Sequence, residues 1–199
     1  MVNNIAQQEL AFIKKVMADS RQILIDDGKS LIFWGILVSF GLIVTYLSIA
    51  GKWHVTPGWF WPALIAFGWV YTIVTEIRRE KKRSVKTFAG KIMGVLWFSI
   101  GVSATIFGFV GTISGAYHEV VISPAISILL GIGYLVSGLL YGKTWFALLS
   151  IGWWTGAIVM FLLLNLETLL IMVGMMVVLQ TIPGIILYKE FKKEILNSK

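Results

Sequence analysis

The sequence contains no cysteine. Disulfides, thiolate nucleophiles, iron–sulfur ligation and cysteine-type zinc sites are therefore excluded. Charge is also scarce: 14% of residues are Asp, Glu, Lys or Arg, against 57% hydrophobic. A soluble globular domain carries about a quarter charged residues, so this chain has too few to cover a surface facing water. So apolar a chain is not disordered either.

The charges are missing from particular places. Six long stretches hold none: Ser30–Gly51, Val55–Thr75, Ile92–Tyr117, Val120–Gly142, Thr144–Leu166 and Thr168–Tyr188. A helix needs about 20 apolar residues to cross a ~30 Å hydrocarbon core. Each stretch is long enough to cross once and too short to cross twice. In lipid every backbone N–H and C=O must find its partner within the protein, which leaves helices or closed barrels. Barrel strands alternate apolar and polar residues. Runs such as Leu42-Ile43-Val44 and Ile171-Met172-Val173 do not. The expected fold is all-α: an integral membrane six-helix bundle of three helical hairpins.

Basic residues set the expected orientation. Sixteen fall in one set of connections (residues 1–29, Arg78 to Lys91, Lys143, and residues 189–199), and only Lys52 falls in the other. By the positive-inside rule both termini are cytoplasmic in a plasma membrane. The net charge of +7 is then a topology signal and implies no nucleic acid. Residues 1–29 are polar before any apolar run begins, so Ser30–Gly51 is expected to act as an uncleaved anchor. The domain organisation that follows is a cytoplasmic segment 1–29, a membrane domain 30–188 with a basic loop 76–91, and a basic tail 189–199.

Within the first segment, residues 4–25 read as an amphipathic helix. Leu10, Ile13, Val16, Met17 and Leu24 recur at three- and four-residue spacing. Such a helix lies on the membrane surface, folds back on the protein, or engages a cytoplasmic protein partner. The loop Glu76–Lys91 holds seven basic residues and two acids. Arg78–Lys91 would attract anionic lipid head groups at roughly 1 kcal/mol per basic residue, although fixing topology explains the cluster as well. There is a faint echo at 63 residues, between Trp34 and Trp97 and between Gly68 and Gly131.

Small residues let membrane helices approach closely. Gly94, Gly101 and Gly108 recur every seven residues in the third stretch, a spacing that keeps one stripe facing a neighbour. The fourth has Gly131 and Gly138, the fifth Gly152 and Gly156. On this reading the third and fourth spans form the tight centre of the bundle. The same seams can serve a homo-oligomer.

The search for chemistry gives mostly exclusions. No Asp, Glu, Lys, Arg or His lies inside a stretch. Proton relays, ion-coupled transport, intramembrane proteolysis, voltage sensing and a retinal Schiff base all normally use such groups. Gly28-Lys29-Ser30 resembles the end of a P-loop, but the earlier glycine position is Ile23. No cofactor is implied. Two weak constellations remain. His54, His118, Glu119 and Glu167 share the outer face and are candidate zinc ligands, although Glu119 and Glu167 also suit helix N-termini. In the sixth stretch Gln180 and Thr181 precede Pro183, which should bend the helix. Gln180 and Thr181 could line a solute site with Ser99, Ser103, Ser137 and Thr155. Without a catalytic signature, the expected function is a structural, regulatory or partner-binding membrane protein. An uncoupled channel or carrier for a small neutral or lipophilic solute comes second, and an outer-face metal-dependent activity third.

Overall fold

The computed structural model describes residues 28–80 and 88–197. Among them there is no strand, and six helices are long and apolar enough to cross a membrane. The amphipathic reading of residues 4–25 lies outside the described residues, as does the middle of the basic loop, 81–87.

Helix α1 is Lys29–Ile49, α2 is Pro57–Glu80 and α3 is Phe88–Thr105, which continues into a π-helical turn, Ile106–Gly111. After a short 3-10 turn, Glu119–Val121, come α4 (Ile122–Tyr141) and α5 (Thr144–Leu163). The sixth span is α6 (Glu167–Met175), a second π-helical turn Met176–Thr181, and α7 (Ile182–Asn197).

The tight centre is not the one expected from the glycine seams. It lies between α4 and α5, with the sixth span packed beside them and α1 packed on the sixth span. Gly138 sits directly on the backbone of Ala147, so that a Cβ there would lie 2.5 Å from the Ala147 Cα. The chain reverses at Gly142, whose φ of 66° suits glycine. Gly152 meets Leu179 and Gly156 meets Met175, which seats α5 on the sixth span. Tyr134, Phe146, Trp153 and Met160 fill the space between, all at most 1% exposed. Tyr134 stacks on Phe146 with ring centroids 4.8 Å apart.

The third span stands outside this centre. Gly94 and Gly108 have open space where a side chain would be, and only Gly101 of that seam is covered, by Trp69 of α2. At Gly108 the reason is local. The Tyr117 hydroxyl donates to the Phe107 carbonyl, and the two rings stack at 4.4 Å. That carbonyl would otherwise serve the amide one α-turn on, at Gly111. A side chain inserted into the helical ladder widens the turn. The extra residue per π-turn rotates Gly108 off the line of Gly101, so the seven-residue stripe does not survive as one face.

Candidate functional site

Two constructions stand out, one peripheral and one central. The peripheral one is repeated four times. A tryptophan indole N–H donates to a Thr or Ser hydroxyl on a neighbouring helix, and the ring covers the glycine four residues before that hydroxyl. Trp61 bonds Thr45 at 2.9 Å over Gly41, and Trp34 bonds Thr72 at 2.9 Å over Gly68. Trp69 bonds Thr105 at 3.3 Å over Gly101, and Trp97 bonds Ser137 at 3.1 Å over Gly133. In the three threonine cases the hydroxyl donates onward to the carbonyl of that same glycine, at 2.7–2.9 Å. Ser137 turns instead to the Met93 sulfur.

The physical logic is simple. Glycine lets the flat ring reach the helix backbone. The hydroxyl gives the indole N–H an acceptor inside an apolar layer, where an unpaired donor would be costly. Sequence reading missed this pairing. Its signal was a Gly-x3-Thr/Ser spacing in one helix with a tryptophan in the next. Trp34 and Trp97, the members of the 63-residue echo, play the same part in successive helix pairs.

The central construction is the π-turn of the sixth span. Pro183 has no N–H and its ring crowds the carbonyl of Leu179, so regular α-helix cannot run through this point. The chain widens into the turn Met176–Thr181, and the Thr181 hydroxyl donates to the Met176 carbonyl at 3.1 Å. Helix α1 closes on this turn at Gly35, where a Cβ would lie 3.3 Å from both the Met176 carbonyl oxygen and the Thr181 Cβ. Gln180 is buried, 3% exposed, and its Oε1 finds no donor among the described residues. Ser39, one turn from Gly35 on the same face of α1, is also buried without a hydrogen-bond partner there. Trp153 is fully buried, and its Nε1 finds no acceptor among the described residues. Each such group costs about 1–3 kcal/mol if nothing satisfies it. π-turns are frequent at functional sites.

The other expected solute-lining residues do not join this group. Ser99, Ser103 and Thr155 are exposed on the outer surface of their helices, and Ser137 is held by Trp97 and Met93. Of the expected residues, only Gln180 and Thr181 lie at this turn.

The structure does not bring the zinc constellation together. His54, His118, Glu119 and Glu167 are all exposed, and among the described residues no three acidic or histidine side chains converge. Glu119 and Glu167 occupy the first turns of their helices, where the N-terminal dipole favours negative charge. Beyond the helices, desolvation holds the Tyr117 phenol above its ordinary pKa.

At the end of the bundle bearing most of the basic residues, Lys143 pairs with Glu190 and Lys29 lies 5.7 Å from the centre of the Tyr188 ring. No protein-family model, curated protein or solved structure matches this chain.

Proposed function

We propose that the chain is a structural or regulatory protein of the plasma membrane, with both termini cytoplasmic, that works by holding a partner. The observation that carries this reading is the filled interior. Between α4, α5 and the sixth span, Tyr134, Phe146, Trp153 and Met160 leave almost no exposed surface, which suits a scaffold better than a conduit. The sixteen-to-one asymmetry of basic residues supports the sidedness. A cytoplasmic partner would engage residues 4–25, and anionic head groups would gather at Arg78–Lys91. The test is flux. Vesicles containing the purified protein should pass water, glycerol and urea no faster than empty vesicles. Protein-dependent flux of any of these would defeat the scaffold reading.

One observation favours a second reading, a site for a small neutral solute: the unpartnered Gln180 Oε1 beside the π-turn. A donor on the solute would satisfy it. A Gln180→Cys variant would then react with small water-soluble thiol reagents, and an added neutral amide or polyol would slow the reaction. A thiol inert to every reagent would close this reading.

A further inference from the structure

The Gly-x3-Thr/Ser spacing occurs six times in the sequence. Four cradles hold a tryptophan of this chain, as described above. A fifth, Gly35/Ser39, receives Thr181 of the sixth span. The sixth is Gly108/Thr112. Its hydroxyl is already set as in the occupied threonine cradles, donating to the Gly108 carbonyl at 2.7 Å, yet among the described residues nothing lies within 4 Å of where a Gly108 side chain would be.

We propose that the Gly108/Thr112 cradle takes Trp59 of a second copy of this chain, making a two-fold dimer about an axis along the membrane normal. The inventory of tryptophans argues for Trp59. Of the nine in the sequence, four sit in cradles. Trp153 is buried, Trp154 lies over Gly131, and Trp145 packs on Phe146. Only Trp53 and Trp59 remain, and Trp59 is 83% exposed against 49% for Trp53. Residues 1–27 and 81–87 contain no tryptophan that could fill the cradle instead.

Depth argues the same way. Trp69 on Thr105 fixes the level of α2 against α3. At 1.5 Å per residue, Trp59 lies ~15 Å beyond that level and the Gly108/Thr112 cradle ~10 Å beyond it, towards the same end. The difference is within the reach of an indole side chain. A two-fold axis along the normal requires the two contacting groups to share a depth, because each copy offers both. The proposed dimer deepens the scaffold reading by naming the partner, and it fails separately from that reading, because association and flux are independent measurements.

The experiment is energy transfer between donor- and acceptor-labelled copies of the full chain in lipid vesicles, diluted with lipid to obtain an association constant. Wild type should dimerise. Gly108→Leu fills the cradle but meets no neighbour among the described residues of its own chain, so it should keep the wild-type thermal stability. It should weaken association about a hundredfold, because a seated tryptophan is lost at each of the dimer's two equivalent contacts. Trp59→Phe and Thr112→Val should each weaken it about eightfold, the loss of one interhelical hydrogen bond at each of the dimer's two equivalent contacts. The two together should be no worse than either alone. Gly94→Leu, at the other open glycine of the same helix, should associate normally. The proposal falls if wild type stays monomeric, leaving Trp59 an interfacial lipid anchor only. It also falls if Gly108→Leu associates like wild type, or if Gly94→Leu disrupts as strongly.

Discussion

In their most apolar stretches the second and third spans bury only 6% of their residues within the chain, whereas the first, fourth, fifth and sixth bury 28%, 44%, 33% and 33%. The two regions are held by different means. The four-span core relies on shape: Gly138 on Ala147, Gly35 on the π-turn, and large side chains locked between helices. The outlying pair relies largely on tryptophans reaching a hydroxyl over a glycine. Lipid tails are as apolar as leucine, so neither region gains much from hydrophobicity once inside the membrane. Close contact and hydrogen bonds must then do the holding. Contact is abundant in the core, and the bonds stand out in the pair.

Variants should separate the two regions. The largest effect is expected from Gly138→Leu. The Ala147 backbone cannot move aside, so the core should lose about 3 kcal/mol or more, read as loss of folded protein in a denaturing-detergent titration. Gly35→Ala should cost about 1–3 kcal/mol by collision with the Thr181 hydroxyl. Thr181→Ala in the same chain should recover part of that loss; no recovery would mean that α1 does not lie on the π-turn. In the outlying pair, Trp34→Phe should cost only about 0.6 kcal/mol, the average for an interhelical hydrogen bond. It should change labelling of thiols placed on α2 but not on α5. An equal loss at α5 would erase the distinction between the regions. The smallest effect is a gain. Leu164 has a φ of 40° at the end of α5, a conformation that costs a non-glycine residue ~1 kcal/mol. Leu164→Gly should raise the unfolding midpoint slightly.

The span boundaries could be read from the sequence because missing charge is a local property, visible residue by residue. Gln180 and Pro183 were visible for the same reason. Packing partners were not. Lipid-facing and protein-facing apolar residues look alike, so the spacing of Gly94, Gly101 and Gly108 could not reveal that Tyr117 would break the stripe from outside the helix. Ser99, Ser103 and Thr155 misled in a related way. Short hydroxyl side chains can bond to their own helix backbone, so a hydroxyl in an apolar span carries little information about which way it faces. The cradles lay between these extremes. Both halves were in the sequence, but each gains meaning only when the neighbouring helix is known.

The central claim is that the first and sixth spans close the core against each other, and a disulfide tests it most directly. The chain has no cysteine of its own. A Cβ at Gly35 would lie 3.3 Å from the Thr181 Cβ, close to the ~3.8 Å usual for a disulfide. The double variant Gly35→Cys/Thr181→Cys, oxidised in the membrane, should form the disulfide within one chain, so that digestion leaves residues 30–52 of a chain joined to its own residues 144–189. If these peptides separate without reductant while each thiol alone remains reactive, the first span does not pack on the sixth, and this account of the core is wrong.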